Sequence, residues 1–371
     1  MNIEYYSSIL PVIIASGISI VFSYLYQKIK SGLGKIGKLL SYFVIIIPYM
    51  LVVGFRGAYV GADTRTYINM FYYYEKIDYG EKLFGYLLKA TNYLGKGNFY
   101  SILFLVYAFL TLYILVLSVD FFSKKDNNLC YFLFLYYCFF GANMMDQMRQ
   151  LAAMSFALLV LILYSEMKYK GALLVGLISI GMHASVVILF ISIIVIEMGK
   201  LYKKVLLKFD SRKVLIRYRL VILITICLIT LLFAYEIVVP ILANIVSDSY
   251  KQYFTTRLNV QSIGLGAIFD IIPVIFLIIF YRNTIKCKND EVLFCLSAMA
   301  IPFRFIGFLS FFVARMAYYP VLTAIYLLSD KNRSDNYRYV LSILAVLYFI
   351  IYYVFLNLHA IFPYYSIFYN I

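Results

Sequence analysis

An all-α, polytopic transmembrane helical bundle is the fold class this sequence predicts, and three observations predict it. Apolar residues make up 64% of the 371 positions and the mean hydropathy is +0.87, well beyond the roughly half-apolar composition of soluble domains. Charged residues are only 14%, and they gather in short stretches between apolar runs. The runs approach the length a helix needs to cross about 30 Å of hydrocarbon. They lie near 9–26, 39–55, 99–122, 128–143, 149–165, 218–235, 263–281, 291–313, 316–329 and 339–358. The first has no basic leader and no small-residue cleavage site, so it reads as a retained helix. With a further run at 171–197, the chain has about 10–11 membrane segments. No internal repeat or low-complexity linker separates them, so 1–371 reads as a single transmembrane domain.

Charge sets the orientation. The net charge is +15, from 33 Lys and Arg against 18 Asp and Glu. In a soluble chain that excess would point to nucleic acid. In a membrane protein, Lys and Arg collect on the cytoplasmic side, so no nucleic-acid partner is expected. Lys28, Lys30, Lys35 and Lys38 have no acidic neighbours, which makes their loop cytoplasmic and the N-terminus external. Lys124 and Lys125, Lys168 and Lys170, the block Lys200 to Arg219, Arg282 to Lys288, and Lys331 to Arg338 fall inside on the same count. Trp is absent, and 39 Tyr are available for the interfacial belts. The five cysteines show no CxxC or Cys/His ligand spacing, so neither disulfides nor a structural metal is expected.

The same parity exposes a conflict at 171–197, whose two ends both read as cytoplasmic. A re-entrant hairpin turning near Gly181-Met182-His183 resolves it, since irregular backbone at depth is tolerated where protein or a cavity surrounds it. One long tilted helix that breaches the charge rule, or a boundary misplaced elsewhere, is the alternative. Two longer segments face outward, 56–98 and 236–262. Within the first, Leu83, Phe84, Leu87, Leu88, Thr91 and Leu94 repeat at helical spacing, as an amphipathic helix lying on the membrane does.

Ionisable residues inside apolar runs are the strongest functional signal, because each costs roughly 2.5–3.5 kcal/mol at mid-membrane even on the mild scale. Arg304 lies deep in 291–313 and Arg315 follows eleven residues later. On one continuous helix they would share a face about 16 Å apart and offer bidentate bonds to phosphate oxygens. Snorkelling is the bland account of Arg315, and a poor one for Arg304. In Asn143 to Gln150, at an outer hinge, Arg149, Gln147 and Gln150 could bind sugar or phosphate, while Asp146 reads as the N-cap of the next helix. His183 would orient a substrate oxygen or move a proton, or merely pack a helix bend. His359 reads as interfacial. Asp63 is either the N-cap of a helix running through Tyr67 to Glu75 or a general base for a hydroxyl nucleophile. Paired carboxylates of glycosidase type and a Walker-type loop are not evident, and no Ser-His-Asp order stands out.

The order Arg56…Gly61-Ala-Asp63-Thr64…Tyr67, then Glu81-Lys-Leu-Phe84, Met148-Arg149-Gln150-Leu-Ala152, His183-Ala-Ser185, Arg315…Tyr319 and Pro363-Tyr364-Tyr365 resembles the EpsG family of bacterial membrane proteins, which are Wzy-type polysaccharide polymerases. Arg304 is not firmly part of that pattern, and 199–262 matches none of it. The resemblance implies an architecture like that of membrane glycosyltransferases acting on lipid-linked sugars. It implies a polymerase for O-antigen, capsule or exopolysaccharide at the outer face of the bacterial cytoplasmic membrane. Its substrate would be an undecaprenyl-pyrophosphate-linked oligosaccharide, with no cofactor, metal or nucleotide, and its partners membrane lipid, a chain-length regulator and a flippase. Asp63 and His183 are then the catalytic candidates. Arg56, Arg65, Arg149, Gln150, Arg304, Arg315 and Tyr319 are the candidates for binding substrate and pyrophosphate, and there is no metal ligand. A glycan ligase of similar architecture, a flippase and a structural scaffold are the competing readings.

Overall fold

The first helix shows which solvent the protein is built for. In a computed structural model, which describes residues 8–76, 81–206, 269–281, 288–306, 311–331, 336–357 and 359–370, helix α1 (Leu10–Ile29) exposes Leu10, Ile14, Val21 and Leu25 by half or more and wholly buries Ser19 and Ser23. A helix in water does the reverse. The Ser19 hydroxyl bonds the Ile45 carbonyl and the Tyr137 hydroxyl, each at 2.7 Å, as a polar group among lipid-facing helices must. Ile45 belongs to α2 (Lys35–Gly54), which packs between α1 and α5 (Ser101–Val116).

The centre of the bundle is α7 (Met148–Ser165), in which every residue from Gln150 to Leu163 is buried. Apolar on all sides, it has no face to give to lipid. It packs against α5, α8 (Tyr169–Met182) and α14 (Tyr318–Leu328), and α14 is likewise buried along its whole length. The helix α6 (Leu129–Tyr136) leads into α7 through a π turn, Tyr137–Gly141, and a short 3-10 turn, Ala142–Met145.

The conflict at 171–197 resolves as a helical hairpin. After α8 the chain is extended at His183, makes a 3-10 turn at Ala184–Val186, and runs on as α9 (Val187–Leu206). The Phe190 ring lies so close to Gly176 that a Cβ there would stand 2.6 Å from its tip. At the far end the Tyr164 hydroxyl, from the last turn of α7, bonds the Glu197 carboxylate at 2.6 Å. Both ends of the pair therefore lie beside the same end of α7, which excludes one continuous tilted helix.

The run 291–313 is not one span. It comprises α11 (Lys288–Ala298), α12 (Ala300–Ile306) and the start of α13 (Phe311–Met316), with α12 packed against α13. Ahead of it is α10 (Ile272–Tyr281) and after α14 comes α15 (Asn336–Tyr348), which continues as a π segment, Phe349–Phe355. Among the described residues five helices are long and apolar enough to cross a membrane, and shorter apolar helices lie at 129–145, 169–182 and 184–198. The expected run 218–235 and outer segment 236–262 lie outside the described residues.

The polar residues form two layers at opposite ends of the helices. One carries the basic loops: Lys30 pairs with Asp120 (3.2 Å), Lys124 with Glu166 (2.7 Å) and Lys331 with Asp126 (2.9 Å). The other end gathers residues 55–63, 142–147, 183–186 and 359–366. There, α3 (Thr64–Tyr72) and α4 (Lys82–Leu94) follow one another. The amphipathic stretch is α4, but its buried face of Phe84, Leu88 and Thr91 packs on α5 and α8 rather than facing lipid alone. Its exposed large apolar side chains are Tyr86, Tyr93 and Leu94.

Candidate active site

The loop after α2 is fixed from below by Arg56, a wholly buried side chain. Its Nη1 donates to the Val53 carbonyl (2.7 Å), its Nε to Thr64 Oγ1 (3.1 Å), and its guanidinium stacks 3.7 Å from the Phe104 ring centre. At Gly61 the backbone has φ +91°, and a Cβ would come within 2.2 Å of the Met145 carbonyl oxygen, so no other residue fits. From above, the C-terminal segment straps the loop down. Gly57 N–H donates to Tyr365 O (2.8 Å), Gly61 N–H to Ala360 O (2.9 Å) and Ala62 N–H to His359 O (3.1 Å).

This frame presents Asp63. It occupies the N-cap position of α3, yet its side chain makes no capping hydrogen bond. Its backbone N–H donates to Asp146 Oδ1 (2.9 Å), and Asp146 Oδ2 meets His359 Nδ1 at 2.7 Å. One sequence expectation is corrected here. Asp146 is not a cap, because Gln147 holds the N-cap position of α7 and Asp146 turns to Asp63 and His359 instead. His359 is buried, 7% exposed. Burial pushes the Asp63 carboxyl above its ordinary value, as does the Asp146 charge, with Arg315, Arg149 and His359 pulling the other way. For Asp146 burial is outweighed by the His359 hydrogen bond and charge, the Asp63 N–H and Arg315, and it is held below the ordinary value.

Arg149, in the first turn of α7, lies 4.6 Å from the Phe84 ring centre and 5.6 Å from that of Tyr67, and its Nη1 pairs with Glu81 Oε2 at 2.7 Å. The other oxygen of Glu81 accepts from Ala184 N–H (3.1 Å). Glu81 thus orients Arg149 and ties it to the hairpin turn. At that turn Ser185 N–H donates to His183 Nδ1 (3.2 Å), and the Ser185 hydroxyl bridges Nδ1 (2.8 Å) and the Tyr319 hydroxyl (2.7 Å). With Nδ1 accepting, the ring proton of a neutral His183 is on Nε2. Charges on Glu81, Arg149 and Arg315 act on His183.

The structure therefore brings Asp63, Arg149, Arg315 and His183 into one electrostatic neighbourhood. It uses others of the expected set as supports. Gln150 Nε2 donates to the Arg315 carbonyl (3.0 Å), holding α13 to α7. Tyr319 is buried behind Ser185. Arg65 is exposed and stacks 3.7 Å from the Tyr59 ring centre. Arg304 is ion-paired with buried Asp270, whose Oδ1 accepts from the Tyr348 hydroxyl (2.7 Å). The expectation that Arg304 and Arg315 share one helical face fails, since they belong to α12 and α13, two helices packed on each other.

Sequence reasoning missed Asp270, although an acid inside the run 263–281 was itself a signal. It assigned Asp146 and His359 to unremarkable roles because nothing local shows that residues 213 positions apart meet. Chemically, the cluster offers one carboxyl raised by burial within the field of two guanidiniums. That suits removal of a proton at one point and stabilisation of an anion at another.

No curated protein and no solved structure matches the chain. The EpsG family profile does, over residues 39–366. That range takes in every one of the residues just placed, from Arg56 to Tyr365, and nearly the whole chain, so the protein belongs to the EpsG family of Wzy-type polysaccharide polymerases.

Proposed function

We propose that the protein joins undecaprenyl-pyrophosphate-linked oligosaccharide repeat units by glycosyl transfer at the outer face of the cytoplasmic membrane. The observation that carries this reading is Asp63: a partly buried carboxylate, not used as a helix cap, that feels the charges of both Arg149 and Arg315. In the transfer, the acceptor hydroxyl loses its proton as its oxygen bonds the anomeric carbon. The bond from that carbon to the pyrophosphate oxygen breaks, and the lipid pyrophosphate leaves as an anion. Asp63 takes the proton. Arg149 and Arg315 hold the pyrophosphate and stabilise its growing charge. His183 orients a substrate oxygen through Nε2. Arg149 and Arg315 are the arginines whose charges act on both Asp63 and His183, so the pyrophosphate falls to them. The reading routes no step through a metal or nucleotide, because the anomeric pyrophosphate is itself the activated donor.

An outward-facing site is supported by the basic loops at the opposite end of the helices, which the positive-inside rule assigns to the cytoplasm. The test is the purified protein in liposomes with one defined lipid-linked repeat unit. A ladder of products is expected. A single transfer onto an unrelated lipid acceptor would mean a ligase. Movement across the bilayer with no new bond would mean a flippase.

A further inference from the structure

His359 contributes to the loop that carries Asp63 in two ways. Its carbonyl accepts from Ala62 N–H at 3.1 Å, and its Nδ1 meets Asp146 Oδ2 at 2.7 Å. The second oxygen of Asp146 accepts from Asp63 N–H at 2.9 Å. The peptide groups on both sides of Ala62 are therefore held by one residue and its partner. Asp146 and His359 are each more than nine-tenths buried, so the pair forms a rigid mount behind Asp63 and not a second exposed site. Among the described residues His359 Nε2 is buried with no hydrogen-bond partner.

We propose that His359, acting through Asp146, is a positioning residue for Asp63, so that the C-terminal segment 359–366 completes the site. The proposal rests on the reading of Asp63 as the base. The charged groups that act on Asp63 are Asp146 from the turn before α7, Arg149 from α7, Arg315 from α13 and His359 from the C-terminal segment. Asp146 makes Asp63 harder to ionise and a protonated His359 opposes that. Removing the imidazole thus leaves Asp146 unopposed by it and moves the Asp63 titration to higher pH.

The experiment compares the wild type with His359→Ala and His359→Asn in liposomes, using one defined lipid-linked repeat unit. The asparagine amide donates to Asp146 where Nδ1 did but does not titrate. His359→Ala is expected to lower kcat about tenfold or more, as small misplacements of a reacting group do. KM for the lipid-linked unit should stay within about twofold, since a positioning loss falls on the transition state. His359→Asn should recover most of kcat, with the acid limb of its pH profile moved up. Infrared titration of the Asp63 band, taken as wild type minus Asp63→Asn, reads the carboxyl without turnover and should show the same upward move in both variants. If His359→Ala does not fold, His359→Asn and the titration decide alone. Wild-type kcat, pH profile and Asp63 titration in the variants that fold overturn the proposal. A wild-type protein that makes no ladder, with an Asp63 titration that still follows His359, overturns the polymerase reading and leaves the positioning intact.

Discussion

Asp63 is the residue on which the proposed chemistry turns, and its surroundings give it a pH signature. Burial and the Asp146 charge raise its pKa, so on lowering the pH it takes up a proton sooner than an ordinary aspartate near about 3.9. A base is idle when protonated. Initial rates of ladder formation should therefore fall along an acid limb set higher than an ordinary aspartate's. Asp63→Asn should lose about 10²–10⁴-fold at every pH while still inserting. A limb at ordinary values, or an active asparagine variant, removes Asp63 from the mechanism. Arg149 makes a second prediction. Arg149→Ala takes the ion-pair partner from the Glu81 carboxylate, 5% exposed, and leaves it the Ala184 N–H, at a cost of about 3 kcal/mol, read as a lower unfolding temperature in detergent. Arg149→Ala with Glu81→Gln should regain stability without regaining the ladder. Arg149→Lys should keep part of both, because lysine holds the charge without the planar fork. At this scale the sequence made Asp63, Arg149, Arg315 and His183 legible as types in suitable places. Asp146 was not legible, because its position just before a helix favours capping and its two real partners come from residues 63 and 359.

Among the elements, the hairpin α8–α9 and the pair α12–α13 test opposite strengths of reading by charge and hydropathy. Parity raised the hairpin as one of two readings, because loop charges report side of membrane independently of helix length, and the extended backbone at His183 decides for it. Lys170→Cys and Lys200→Cys, each in a background with the native cysteines changed to serine, should react with an impermeant thiol reagent from the same side. Labelling from opposite sides would dissolve the hairpin. That α12 and α13 are two helices packed on each other was not legible, since a run of apolar residues carries no mark of where one helix ends and another begins. The packing of α12 changes what Arg304 does. Its guanidinium meets Asp270, so Arg304→Ala should cost about 3–5 kcal/mol as a broken buried pair. Arg304→Met with Asp270→Leu should recover much of that in thermal unfolding. If Arg304→Ala leaves stability untouched and abolishes the ladder, Arg304 belongs with the pyrophosphate after all.

For the whole molecule, class and orientation followed from composition and loop charge, because lipid imposes length and sidedness on every segment. The site followed only in part: topology put Asp63, Arg149 and Arg315 at the same outer end, but Glu81, Asp146 and His359 find their partners only in the fold. One of the joins has a consequence for biogenesis. Helices enter the bilayer in the order of synthesis, and Asp146 arrives 213 residues before the histidine that receives it. Until then the nascent bundle holds a carboxylate in a poorly hydrated place without its proper partner, which is costly. The closing contact between Asp146 and His359 thus rewards only a chain that has threaded all the intervening segments correctly. A misthreaded copy keeps an unquenched charge at its outer end and stays loose there.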